Sequence, residues 1–272
     1  VLLTVASPEG FRLFALVSIL VSLALVPVAL TTSVAPQPIR RASLDVPRLF
    51  EVSPLAALGC LLVGMANTSF WALGPVFVQQ LGHPVNLIAV FMSVTIISGA
   101  LAQWPLGMLS DHMDRRILIV LVAASSGVSG YGLFVSADAS VAWLLTSAAA
   151  FGLFAIPLYG LCVAHANDHA EPDSYVEVNG GLLMLYGLGA IAGPVVSARA
   201  MTLLGPRGLF AAIMAIHVVM VLWSLYRLVA HPAIREEEKE PFVAVSVPGS
   251  VPTATQEGFD LDPRVAHEER PP

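Results

Sequence analysis

Two long apolar segments, residues 86–109 and 116–136, meet at one short charged turn, Gly107-Met-Leu-Ser-Asp111-His-Met-Asp114-Arg115-Arg116. A helix needs about 20 apolar residues to cross a bilayer, and only structures that satisfy their own backbone hydrogen bonds can do so. Five further segments meet that length: 11–31, 53–81, 139–165, 176–204 and 206–230. The chain is therefore expected to be an all-α membrane protein with seven transmembrane helices. Composition agrees, with 56% hydrophobic and 12% charged residues and a mean hydropathy of +0.78. A soluble domain carries about twice that charged fraction. The net charge of −6 resides in loops and in the tail, so it is no sign of a nucleic-acid partner.

Orientation follows from Arg and Lys in the short loops. The 32–52 loop holds Arg40, Arg41 and Arg48, and the 110–115 turn runs into Arg115-Arg116, whereas 82–85 and 137–138 have no basic residue. Alternation then places the start of the chain outside and its end inside. Residues 166–175 fall on the inner side with Asp168, Glu171 and Asp173 and no basic residue, but acidic groups weigh little in this rule. Residues 231–272 are rich in Pro and Glu and poor in large apolar residues, and are expected to be a disordered cytoplasmic tail. Val1 is not an initiator Met, and the first apolar run has neither a charged leader nor an Ala-x-Ala cleavage site. It reads as the interior of a longer chain rather than as a signal peptide.

The charged turn resembles the signature loop of the major facilitator superfamily, Gly-x-x-x-Asp-basic-x-Gly-basic-basic, which lies on the cytoplasmic side of transport permeases. It departs at His112, where the pattern has a basic residue, and at Asp114, where it has Gly. A second run, Gly187-Leu-Gly189-Ala-Ile-Ala-Gly193-Pro194, is similar to the Gly-rich, Gly-Pro-ended helix of exporters in that superfamily. By itself Gly189-x-x-x-Gly193 signals only close helix packing. The resemblance implies twelve helices in two halves, of which this chain looks like the sixth to the twelfth. Residues 1–31 then complete a missing N-terminal bundle, 32–52 form the cytoplasmic central loop, and 53–230 form the six-helix C-terminal bundle. It further implies a secondary active transporter of a small molecule working by alternating access in the bacterial plasma (inner) membrane. The chain is an N-terminally truncated portion on this reading, and the second run points towards export. The implied partners are the lipid bilayer, the missing N-terminal half and the small-molecule substrate. A seven-helix receptor shares the topology, but no span holds a Lys for a retinal linkage and no loop cysteines pair. A self-associating half-permease is the other alternative.

No Asp, Glu or Lys lies in the middle of any span, although such residues mark ion and proton pathways. Coupling carboxylates are thus expected in the missing half. The neutral candidates for substrate binding begin with Asn67 at the midpoint of 53–81, with Phe70 and Trp71 three and four residues on, hence on one face. Gly74-Pro75 can break that helix and open a cavity beside it. Tyr159, next to a kink expected at Pro157, and Tyr186 each carry a phenol that wants a partner. For Asn67 and Trp71, packing between helices is as good an explanation as binding. The stripe Met92, Thr95, Gly99 and Gln103 reads better as packing than as binding.

Gating candidates are Gly107, Asp111, Asp114, Arg115 and Arg116 of the turn, with Asp168 and Glu177 as inner-side charge partners near His165. The resemblance implies that Asp111 caps or faces a helix N-terminus across the two halves. A solvated turn that merely sets topology is the alternative. Gly187, Gly189, Gly193 and Pro194 are expected to pack helices. Cys60 and Cys162 read as buried small hydrophobes. His165 and His217 have no companion at metal-ligand spacing, so no metal or cofactor is expected. Nucleophile elbow, Walker loop and His-Glu-x-x-His are all missing from the sequence, so it does not read as an enzyme.

Overall fold

A computed structural model of the chain describes residues 11–30, 46–171 and 174–230. The start of the chain, the tail at 231–272 and the expected central loop up to residue 45 lie outside the described residues. Among those described, all regular structure is helical: α1 (Phe11–Leu30), α2 (Val46–Val52), α3 (Pro54–Gln80), α4 (Val85–His112), α5 (Arg115–Val135), α6 (Val141–Ala155), α7 (Leu158–Asn167), α8 (Tyr175–Leu204) and α9 (Gly208–Ala230). Five helical stretches are long and apolar enough to cross a membrane. The last of them, Tyr175–Ala230, folds back at the Gly205–Arg207 turn, where Gly205 takes φ +67°, so it supplies two crossings. The six expected spans of 53–230 are thus all helical.

Local chemistry sets the helix starts. The Ser53 hydroxyl accepts from Ala56 N at 3.3 Å while Pro54 occupies the first turn, where its missing N–H costs nothing. Ser140 caps α6 in the same way through Trp143 N. Pro157 separates α6 from α7, a break in the helix at the place where a kink is expected. Gly74-Pro75 behaves otherwise. α3 runs unbroken through Pro75, and Gly74 packs against Phe70, Phe91 and Met92. One proline in a long membrane helix is tolerated when neighbouring helices hold its line. The other surprise is α2, which forms within the stretch expected to be a loop.

α3 sits at the centre, packed most extensively on α8 and also on α9 and α7, while α5 packs on α9 and α4 on α6. Glycines let these backbones touch. A Cβ on Gly189 would run into the Leu61 carbonyl, one on Gly193 into the Met65 carbonyl, and one on Gly64 into the Tyr186 carbonyl. Gly99 meets Gly152 and Ile156 in the same manner, and Thr95 is fully buried beside them, so this stripe is a packing face. Gly187 does not join its neighbours in packing, because a side chain there would reach open space. Pro194 lies within α8 without ending it. Between helices, an aromatic cluster fills the core: the Phe70 ring lies 5.3 Å from Phe151 and 5.7 Å from Phe91, and Phe77 meets Phe210 at 4.8 Å. His217 of α9 meets the Ser126 hydroxyl of α5 at 2.9 Å, so this lone histidine is an interhelical hydrogen bonder. α1 stands outside this packing, with Phe14, Ile19, Leu23 and Leu25 exposed.

Candidate functional site

The charged turn builds a closed electrostatic cluster at one end of the bundle. α4 ends at His112, two residues follow, and Asp114 opens α5 by accepting from Arg116 N at 2.9 Å. Starting the helix there aims Arg115 inward, where it is 1% exposed. Its Nη1 donates to Asp168 Oδ1 at 2.6 Å and to the Ala164 carbonyl at 2.7 Å, and its Nη2 donates to Asp111 Oδ1 at 3.1 Å. One guanidinium therefore ties α4, α5 and the end of α7 together. A buried charge is tolerated only with such pairing, since its desolvation is costly.

Arg116 is held differently. Asp114 grips it through Oδ1 at 3.1 Å and Oδ2 at 2.7 Å. Burial pushes the Asp114 carboxyl up, but the hydrogen bonds and charge of Arg116 outweigh that and hold it below the ordinary carboxylate value. The residue that breaks the resemblance to the signature loop is thus the α5 cap. An Asp directly before an apolar-periodic run is the sequence signal for this role, and the sequence reading missed it.

Asp111 and Asp168 converge on Arg115, Asp114 holds Arg116, and Glu177 pairs elsewhere. It meets Arg48 of α2 at 3.8 Å, and Leu49 beside it fills the hole left at Gly181. Gly107 is buried in α4, one turn before Asp111. Among the described residues no group of three or more His, Cys, Asp or Glu side chains could hold a metal ion.

Deeper in the bundle, three of the five substrate candidates come together. Asn67 of α3 lies beside the Tyr186 hydroxyl of α8, and the Tyr186 ring meets Tyr159 of α7 edge-on at 4.9 Å. Asn67 and Tyr159 are buried and Tyr186 half-buried. Trp71, one turn further along α3, is half-buried, and its ring meets that of Phe70 at 5.5 Å. Phe70 does not belong with them: it is 2% exposed within the aromatic core, where its ring meets Phe91, Phe151 and the edge of Trp71. An amide and two phenols supply uncharged donors and acceptors. The described residues here offer no nucleophile held by a base.

The Major Facilitator Superfamily family model matches residues 56–259. An uncharacterized MFS-type transporter of Yersinia pestis is 26% identical over 190 residues, which are 69% of this chain and 46% of that protein. The uncharacterized MFS-type transporter YcaD of Escherichia coli is 30% identical over 176 residues, 63% of this chain and 44% of that protein. The chain spans about half the length of the curated relatives it matches.

Proposed function

From the premise that the chain belongs to the major facilitator superfamily and is an integral membrane protein, we propose that residues 53–230 form one bundle of a secondary active transporter that moves a small molecule by alternating access. The Arg115 cluster is the observation that carries this reading. It ties three helix ends together, α4, α5 and the far end of α7, through one buried guanidinium, which suits a lock at the charged end of the bundle. Rocking needs a second bundle, and the greater length of the relatives supports one. α1, unpartnered by the six-helix bundle, belongs to that second wall on this reading, and the polypeptide works in the bacterial inner membrane.

Asn67, Tyr159 and Tyr186, with Trp71 one turn further along α3, make the substrate wall in this proposal. The uncharged donors and rings suit a small, partly apolar solute. The coupling ion is bound by the second bundle, because the interior of this one carries its charges at the helix ends. Direction is assigned as export on the Gly187–Pro194 run of α8. Catalysis of a chemical reaction plays no part in the proposal.

The test is Asp111→Asn in the full-length protein. Asp111 is the more exposed partner of Arg115, so Asp168 keeps the buried charge paired and the fold intact. Expression and insertion should stay near normal while transport falls at least tenfold. Transport at the parental rate removes the gating role.

A further inference from the structure

The outer faces of α5 and α9 enclose a groove of about 340 Å³, the lower end of the size range of small-molecule pockets. Ala123, Gly127 and Tyr131 form one wall, and His217, Val218 and Leu222 form the other. Gly127 creates the gap, since a Cβ there would make only ordinary contact with His217 Cβ at 3.5 Å. The histidine adds no polarity to the floor. Its Nδ1 is engaged by the Ile213 carbonyl at 2.8 Å and its Nε2 by the Ser126 hydroxyl at 2.9 Å, so both ring nitrogens are used. A polar ligand finds nothing to bind along this floor. A hydrocarbon chain loses nothing there.

Depth and charge identify the occupant. Eight residues separate Ala123 from Tyr131, about 12 Å at the helical rise, against about 15 Å for one leaflet of a ~30 Å hydrocarbon core. The Tyr131 end is one turn from the end of α5, opposite the Arg115 cluster. Tyr131 stacks on Phe134 with ring centroids 6.3 Å apart, and the Arg207 guanidinium lies 5.9 Å from the Phe134 centroid. Arg207 also pairs with the exposed Asp138. A guanidinium has five N–H donors, which leaves it able to serve a phosphate as well. The groove is thus apolar and nearly one leaflet long, with Tyr131 at one end leading through Phe134 to the Arg207 cation.

We propose that this groove is a binding site for a phospholipid of that leaflet, one acyl chain lying between α5 and α9 and the phosphate meeting Arg207. The site is independent of the transport reading, since its lining shares no residue with the Asn67, Tyr159 and Tyr186 cluster or with the charged turn.

The experiment reconstitutes the full-length protein into phosphatidylglycerol vesicles doped with phosphatidylglycerol that carries a diazirine on one acyl chain. After irradiation, adducts are mapped by mass spectrometry. Adducts on α5 and α9 groove residues should exceed those around Ile191 and Val195, exposed residues of α8, at least threefold. Gly127→Leu fills the groove from one wall and should bring labelling down to the α8 level. Val218→Phe fills it from the other wall and keeps the test alive if the first variant does not fold. Arg207→Gln should lower groove labelling at least twofold. Equal labelling of the two faces, or groove labelling that survives both filling variants, overturns the site. Unchanged labelling in Arg207→Gln overturns the phosphate contact, and cross-linking of groove residues to a second copy of the chain overturns the lipid as occupant.

Discussion

Arg115 donates to Asp168 at 2.6 Å across 53 residues of sequence, with side-chain exposures of 1% and 3%. Asp111, the other carboxylate on the same guanidinium, is 37% exposed at 3.1 Å. The two pairs should therefore differ sharply in what they contribute. Removing one partner of a buried pair strands a charge and costs about 3–5 kcal/mol, whereas a pair with one partner at the surface contributes less. Asp168→Ala should lower the midpoint of thermal unfolding in detergent by several degrees more than Asp111→Ala. Equal losses would show that Arg115 is not held as the structure has it.

Asp114 makes a second prediction, for stability and pH together. Replacing an N-cap Asp by Ala costs about 1 kcal/mol, and Asp114→Ala also releases Arg116. The first turn of α5 should then exchange its amide hydrogens faster, while α9 is little changed. The sign with pH follows from the depressed folded pKa, which lies below the ordinary 3.8. This contribution is present above the unfolded value and is lost as pH falls through the lower folded one. In the parent protein the cap should survive at pH 4 and weaken only at more acidic values. In Asp114→Asn that acid-dependent step should vanish, and a variant that keeps it would assign the step to another carboxylate.

The α3–α8 contact gives a third prediction. Gly189 and Gly193 lie against the carbonyls of Leu61 and Met65, so any side chain must push the two backbones apart. Gly193→Leu should abolish monodisperse protein in size-exclusion chromatography, and Gly189→Leu should do nearly as much. Gly187→Leu, facing open space, should leave the elution profile unchanged. If all three behave alike, the two helices do not meet face to face at these glycines.

The span positions were legible because apolar length is a property of contiguous sequence, and 53–230 divides into helices close to where hydropathy divides it. The Pro157 break was legible too, since proline removes a backbone donor wherever it stands. The roles of Gly74-Pro75 and Gly187 were not, because a helix bends or packs according to what the neighbouring helix presents. The signature turn located the charged cluster, yet which carboxylate would be buried depends on Asp168, more than fifty residues further on. Phe70 and Trp71 show the same limit on a smaller scale. Spacing puts both near Asn67, but only the position of Phe91 and Phe151 decides that Phe70 points into the core.

That division of α3 into two faces carries the last prediction. If Asn67 and Tyr186 form part of a substrate wall, the polar end of this cluster must meet water in some state of the transport cycle. An amide left without a partner in hydrocarbon costs several kcal/mol, and the neighbouring phenol supplies only part of what Asn67 can bond. Phe70 has no such need and is sealed by three aromatic neighbours. In the full-length protein with Cys60 and Cys162 replaced by Ser, Asn67→Cys, Trp71→Cys and Tyr186→Cys should react with a membrane-impermeant maleimide, and Phe70→Cys should not. Transported solute should slow the reaction at residues 67 and 186 severalfold. Phe70→Ala, by contrast, should cost about 3–5 kcal/mol of stability through the cavity it leaves, without changing the apparent affinity of whatever protein still folds. Labelling at residue 70 with silence at 67 and 186 would mean that α3 presents its other face to the cavity, and the substrate wall would have to be sought there.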